Sequence, residues 1–290
     1  MPELPEVETI KRTLAPHICG KAFGRVQSIT PSLLRGASAE ELAEDLPGRV
    51  IAKLGRRGKY LLLYLTYDKL LVFHLGMSGR ITYWPGLNSA PIEPHTHFWA
   101  QLVSAGADHG DSQAGPQGEL RLVDPRRFGK IYYGDETTLI GKLEAKLGWE
   151  PFDPRLTAEA LGAKLKNGRR PIKTALLDQG LIAGVGNIYA DEALFAAGIH
   201  PTRTAESLAL EEIENLLQSL RQVLVLGIED GGTTFRDYVN GRGERGSHQD
   251  HLSVYGREGE ACPRCHAPIT RTKIGGRSSF YCPHCQVPPS

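Results

Sequence analysis

The sequence is short of several features that would direct a functional reading. No apolar run approaches the ~20 residues that a membrane-spanning helix needs, so no membrane anchor is expected. The start has no basic segment, apolar run and small-residue cleavage site in succession, so no export leader is expected. Charge of neither sign dominates: 34 Lys and Arg face 33 Asp and Glu, a net +1 at pH 7, which by itself names no partner. Cysteine is nearly absent until the C-terminus, where four of the five cluster. That odd, uneven set excludes a secreted disulfide framework and points to a reducing compartment and a metal site. The Gly-rich turn Leu181–Asn187 is not followed by Gly-Lys-Ser/Thr, so it is not a nucleotide P-loop.

What is present is enough for one large or two ordinary domains: 290 residues, 40% hydrophobic. The densest chemistry lies in the first eight, Met1-Pro2-Glu3-Leu4-Pro5-Glu6-Val7-Glu8. If Met1 is removed, which the small Pro2 permits, the chain begins with a secondary amine. An α-amino group titrates near ~7.7–8.0, against ~10.4 for lysine, so a useful fraction is a neutral nucleophile at neutral pH. Glu3 and Glu6 lie close enough to move protons or hold a cation. The same residues also read as a helix start, with Pro5 in the first turn and acids at the positive end of the dipole.

Val7, Ile10 and Leu14 predict a helix from Pro5 to about Pro16, with Gly20 as its stop. Cys19 near its end reads as a small buried hydrophobe. From Phe23 to Tyr133 short β-type runs follow one another: 49–54, 60–67, 70–75, 80–84, 97–103, 119–123 and 130–133. They predict an antiparallel sandwich or flattened barrel, decorated by a helix at 40–46. Ser104–Gly118, rich in Gly, Ala, Asp and Gln, is expected to be an exposed hairpin loop. Beyond Gly134 the period is helical at 138–147, 157–167, 171–179, 187–197 and 207–228. The last carries a stripe of Ile213, Leu216, Leu217, Leu220, Val223 and Leu224. The expected division is 1–135, a linker at 136–154, a helical domain at 155–255 and a metal-binding module at 256–290. Two acid-free basic runs, Arg49–Lys59 and Lys164–Lys173, suggest polyanion-binding faces or merely solvated surface.

Several turns carry side chains suited to nucleic acid. Arg57-Gly58-Lys59 places a lysine at the head of an apolar strand, beside a glycine that allows close approach to a phosphate. His74-Leu75-Gly76-Met77-Ser78-Gly79 puts an apolar side chain on a tight turn, as core or as a wedge between bases. Asp124-Pro125-Arg126-Arg127-Phe128-Gly129 combines guanidiniums with a phenyl ring, for charge and for stacking. Asn187 is placed to cap a helix whose N-terminal N–H groups can seat a phosphate. The most specific signal is Cys262-x2-Cys265 and Cys282-x2-Cys285, which reads as a closed tetrahedral zinc site. Four protein ligands leave no open position, so one Zn2+ per chain is expected to be structural. Between the knuckles a hairpin turning at Gly275-Gly276 would place Arg277 at its tip.

Together these pieces resemble the bacterial formamidopyrimidine-DNA glycosylases, relatives of endonuclease VIII. The resemblance covers nearly the whole chain: Pro-Glu-Leu-Pro-Glu-Val-Glu, Gly-Lys-Tyr-Leu-Leu, His-Leu-Gly-Met-Ser-Gly, Asp-Pro-Arg-Arg-Phe-Gly, Gly-Val-Gly-Asn-Ile-Tyr-Ala, Ala-Ala-Gly-Ile-His-Pro and the zinc ribbon. It implies an α+β protein of two domains: an N-terminal antiparallel β-sandwich with flanking helices, then a helix–two-turn–helix domain ending in a four-cysteine zinc hairpin, with DNA between them.

The implied activity is base-excision repair, a glycosylase and AP lyase acting on oxidised purines such as 8-oxoguanine opposite cytosine and formamidopyrimidines. The partner is double-stranded DNA bearing such lesions or abasic sites, the protein a monomer, its place the cytoplasm and, at work, the nucleoid. The resemblance implies a catalytic set of Pro2, Glu3, Lys59 and Arg277, with Glu6 in support. It implies that Met77, Arg126 and Phe128 fill the gap left by the flipped base, and that His74, Arg127, Asn187, Tyr255 and Arg277 grip phosphates. Leu4 matches the purine-acting branch. The chain departs from the family in its longer 104–118 loop and in 231–249, the segment corresponding to the loop over the flipped base. A pyrimidine-acting enzyme of the same chemistry and a non-catalytic zinc protein that binds lesions are the rival readings.

Overall fold

The computed structural model describes residues 2–86, 90–105, 117–166 and 168–288. They form two compact units: the first is Met1–Ala145 with Asp230–Ser247, the second Lys146–Glu229 with His248–Ser290. Among the described residues no helix is long and apolar enough to cross a membrane.

The first unit opens with helix α1 (Leu4–Ile18). Val7, Ile10, Leu14 and Ile18 are each fully buried on one stripe, and this stripe carries the helix past Pro16, where the sequence suggested an end. Strands β1 (Lys21–Ile29) and β2 (Leu34–Arg35) and helix α2 (Ala39–Asp45) follow. Next come β3 (Ile51–Arg57), β4 (Tyr60–Leu65), β5 (Lys69–His74), β6 (Arg80–Pro85), β7 (Thr96–Ser104), β8 (Gly118–Val123) and β9 (Lys130–Asp135). They make two sheets, ordered β1-β7-β8-β6 and β2-β9-β5-β4-β3, antiparallel except for the short β2–β9 pair. Phe98 on β7 packs edge-on against Phe23 of its own sheet and Phe73 of the other, at 6.5 and 5.4 Å between centroids. Leu61, Leu63, Leu71 and Leu120 join this core together with the apolar face of α1. β1 was hidden in the sequence by Gly24 and by two register shifts that break its alternation. Leu102 pairs with Gly118, so β7 and β8 form the expected hairpin, and most of the 104–118 connection lies outside the described residues.

Helix α3 (Glu136–Lys146) occupies much of the span expected to be a linker and buries Leu139 and Leu143. The segment 230–247, expected in the helical domain, belongs to the first unit: Gly241 N–H donates to Thr13 Oγ1 at 2.9 Å, its carbonyl accepts from Tyr83 N–H, and Tyr238 lies in the sandwich core.

The second unit holds α4 (Ala158–Leu165), α5 (Ile172–Leu176), α6 (Asn187–Ala197) and α7 (Leu210–Glu229), then the hairpin β10 (Thr270–Ile274) and β11 (Arg277–Tyr281). α6 is buried from Ile188 to Phe195, its acids Asp191 and Glu192 included. It packs closely on α7: a Cβ on Gly227 would lie 2.5 Å from the Tyr189 ring. The α7 stripe falls as its period predicts.

Candidate nucleic-acid site

In the first unit the N-terminus is tied down rather than loose. Pro2, Glu3 and Glu6 are buried. The Glu6 carboxylate accepts from two backbone amides, Glu3 N–H at 2.7 Å through Oε2 and Thr233 N–H at 2.8 Å through Oε1. It thereby links the first turn of α1 to the 230–247 segment. Tyr238 closes the same corner, its hydroxyl donating to the Gly231 carbonyl at 3.0 Å.

Lys59, 7% exposed, lies in the β3–β4 turn just before β4 and directly after Gly58, which takes φ +53. Arg56 ties that turn to α1: its Nη1 donates to the Gly58 carbonyl at 3.0 Å and its Nε to Glu8 Oε2 at 3.2 Å. Burial would raise the Glu8 carboxyl, but Lys11, Arg12 and Arg56 outweigh it and hold Glu8 below the usual range. The Glu8–Arg56 partnership spans two elements, so local spacing in the chain does not reveal it. Tyr60 stands opposite His74 in the β4–β5 ladder, their rings 4.7 Å apart, which sets His74 beside the lysine turn.

Past His74 the chain enters the Met77 turn, and after β8 the Arg126–Phe128 turn. Met77 is 43% and Phe128 56% exposed, and both arginines of the second turn are exposed. The two turns meet: Ser78 Oγ donates to Asp124 Oδ1 at 2.6 Å, and Arg126 N–H reaches Ser78 Oγ at 3.3 Å. The expected wedge residues therefore share one patch.

In the second unit Asn187 does not cap α6. Gly186 holds the cap position, and the Asn187 Nδ2 donates to the Ser278 carbonyl at 2.9 Å. This sets Asn187 beside Arg277, which is exposed and pairs with Ile274 at the hairpin turn, as expected. Beneath them Lys173 and Asp191, both fully buried, form an ion pair at 2.7 Å. Lys173 also donates to the Ser278 carbonyl and Ser279 Oγ, and Asp191 accepts from Phe280 N–H. Burial pushes the Asp191 carboxyl up to about 7 against the pull of Lys173. Half-buried Tyr255 packs edge-on against Phe280 at 5.1 Å, and its N–H is held by Glu192.

The sulfurs of Cys262, Cys265, Cys282 and Cys285 lie within 4.8 Å of one another, and none is in a disulfide. Zn–S bonds of ~2.3 Å in a tetrahedron separate sulfurs by about 3.8 Å. The 3.9 Å between Cys262 and Cys285 and 3.4 Å between Cys265 and Cys282 fit that cage. Amides of Arg264 and Cys285 point at sulfur, as thiolate ligands need. The site therefore suits one structural zinc. Cys19, expected to be buried, is exposed.

The first basic run is mostly engaged within the protein, the second only in part. Arg49 pairs with Asp45, Arg56 with Glu8 and Arg57 with Glu144, and Lys53 lies over the Tyr64 ring. Arg170 pairs with Asp178, and Lys173 with Asp191. Lys164, Lys166 and Arg169 of the second run are exposed.

Residues 1–131 match the formamidopyrimidine-DNA glycosylase N-terminal domain, 147–239 its H2TH domain, and 259–287 a zinc finger found in FPG and IleRS. A formamidopyrimidine-DNA glycosylase of Moorella thermoacetica is 49% identical over 94% of this chain and 95% of its own. The Lactococcus lactis Fpg in complex with an abasic site containing DNA is 35% identical, with TM-score 0.86 over 99% of this chain and 100% of that one. MutM in complex with carbocyclic 8-oxo-G containing DNA is 35% identical, with TM-score 0.87 over the same shares. From its first residues to its zinc module, the chain belongs to the formamidopyrimidine-DNA glycosylase family of base-excision repair enzymes.

Proposed function

We propose that this protein is a bifunctional DNA glycosylase and AP lyase that removes oxidised purines, chiefly 8-oxoguanine opposite cytosine and formamidopyrimidines, in the bacterial cytoplasm. The observation that carries the reading is the anchored N-terminus, where Glu6 binds the backbone of Glu3 and fixes the position of Pro2. With Met1 removed, the neutral Pro2 amine attacks C1′ of the damaged nucleotide. The base leaves with the bonding pair and takes up a proton. The amine loses its own proton, and ring opening gives the iminium. That cation acidifies the C2′ hydrogen, so β-elimination expels the 3′ phosphate, and δ-elimination the 5′ phosphate. Glu3 moves protons at the sugar and Lys59 serves the leaving base and a phosphate. Burial suits both tasks, since a charged group in a low-dielectric setting acts strongly on its neighbours.

Met77, Arg126 and Phe128 fill the space vacated by the lesion, offsetting the few kcal/mol that unstacking costs. His74, Arg127, Asn187, Tyr255 and Arg277 contact phosphates, which position the duplex without reading its sequence. Zinc holds the hairpin that presents Arg277. The test is borohydride trapping on an 8-oxoguanine:cytosine duplex, with the crosslink mapped by mass spectrometry. An adduct on an N-terminal Pro2 is expected; a bound duplex without an adduct, on protein shown by intact mass to lack Met1, would overturn the mechanism. Parallel nicking of 8-oxoguanine and thymine glycol duplexes decides the substrate class.

A further inference from the structure

The Met77 and Arg126–Phe128 turns come from different strand connections, β5–β6 and β8–β9, and their tips are exposed. Exposed loop tips ordinarily move. Side chains that must enter a base stack together need fixed spacing, which takes support from locked groups beneath them.

The support is a single buried carboxylate. Asp124 is 0% and Ser78 2% exposed. Asp124 Oδ1 accepts the Ser78 hydroxyl at 2.6 Å, and Oδ2 accepts Gly129 N–H at 2.8 Å. One oxygen thus serves each turn. The backbone of Asp124 is fixed as well: its N–H donates to the His95 carbonyl at 3.0 Å, and its carbonyl accepts from Arg127 N–H at 3.1 Å and from the His97 ring at 3.1 Å. Arg127 takes φ 56, a conformation that persists only where the surroundings over-determine it. The turns also touch directly, since a Cβ on Gly76 would lie 2.6 Å from the Phe128 carbonyl carbon.

We propose that Asp124 is a positioning residue for lesion opening: through Ser78 and Gly129 N–H it sets the spacing between Met77 and the Arg126–Phe128 turn. The proposal rests on the reading of those three side chains given above. An alanine at 124 leaves the Ser78 hydroxyl and Gly129 N–H without their acceptor. An asparagine can still accept from Gly129 if its amide group donates to Ser78 Oγ, so it should restore part of the function.

Asp124→Ala, Asp124→Asn and Ser78→Ala are compared with the wild type on three probes: an 8-oxoguanine:cytosine duplex, a single-stranded abasic oligonucleotide, and a lesion duplex with 2-aminopurine opposite the lesion. For Asp124→Ala, kcat/KM on the duplex should fall on the order of 10–100-fold, the scale of a misplacement near 1 Å. The 2-aminopurine fluorescence rise on unstacking should be lost with it. Cleavage of the single strand, which needs no stack opened, should stay within about threefold, and Asp124→Asn should lie between, since it keeps one acceptor. Unchanged duplex activity and fluorescence in Asp124→Ala, or equal losses on duplex and single strand, would overturn the proposal. If Asp124→Ala does not fold, Ser78→Ala removes one limb of the tie and carries the same comparison, wild-type behaviour overturning the proposal. A wild type that unstacks 2-aminopurine but neither cuts nor traps defeats the functional reading while leaving the role of Asp124 measurable.

Discussion

His97 has both ring nitrogens engaged, Nδ1 with the Thr30 hydroxyl at 2.9 Å and Nε2 with the Asp124 carbonyl at 3.1 Å. A carbonyl only accepts, so Nε2 carries the proton and Nδ1 accepts from Thr30. Burial, with Arg127 adding to it, holds the His97 pKa below its usual value. The unfolded chain, with a histidine pKa near ~6.5, then binds more protons than the folded one in the window below that value. The stabilisation is present above that pH and is lost as pH falls towards the folded pKa. The melting temperature should therefore decline between about pH 7 and pH 5, and decline less in His97→Gln; parallel declines in the two would assign the effect to other groups. At this scale the sequence was legible where a side chain's role follows from its neighbours in the chain, as with the cysteine pairs. It failed where the partner is remote. Asn187 looked like a helix cap from local spacing, yet its amide is taken by a carbonyl 91 residues away.

Helix α6 is where the second unit is most sensitive. Asp191 meets Lys173 from α5 and Phe280 N–H from β11, so one carboxylate joins three elements. Asp191→Ala leaves a buried ammonium without its counter-ion and should cost ~3–5 kcal/mol, whereas replacing both partners by Lys173→Met with Asp191→Leu should recover much of it. Chemical denaturation of the two variants checks this; equal losses would mean that volume, not charge, sets the cost. The zinc module is tied to the C-terminal end of the same helix. Arg264, between the first two cysteines, donates to the Phe195 and Ala196 carbonyls, and Gln286 donates to the Ile199 carbonyl. Cys282→Ser, or chelation, should unfold the hairpin and abolish lesion binding while the sandwich remains folded. Circular dichroism with a binding assay reads both, and undiminished binding would refute the part assigned to Arg277. The amphipathic helices were readable because their burial repeats with the helical period, the central strands because they are short continuous apolar runs between turn residues. β1 was not, since its bulges break its alternation, and neither was the end of α1, where the burial of Ile18 outweighs the local preference to stop at Pro16.

Over the whole molecule, net charge hides what matters. The first basic run is largely spent on internal ion pairs, whereas Lys164, Lys166 and Arg169 of the second stay exposed. Of the assigned phosphate contacts Lys59, Arg127 and Arg277 are cationic, so the slope of log K against log salt should be about −3, at about −0.9 per phosphate neutralised. Titration of an abasic-analogue duplex across salt concentrations measures it, and a slope shallower than about −1 would remove most of the cationic contacts. Composition could not reveal this, because pairing is a property of the fold. The division of the chain has a further consequence. The segment 230–247 returns to the first unit after 84 residues of the second have intervened, Lys146–Glu229. Synthesis on the ribosome runs from the N-terminus, so the Thr233 amide that holds Glu6 and the Tyr238 ring that completes the sandwich emerge only when most of the chain has been made. The residues that leave the tunnel first are among the last to reach their final surroundings.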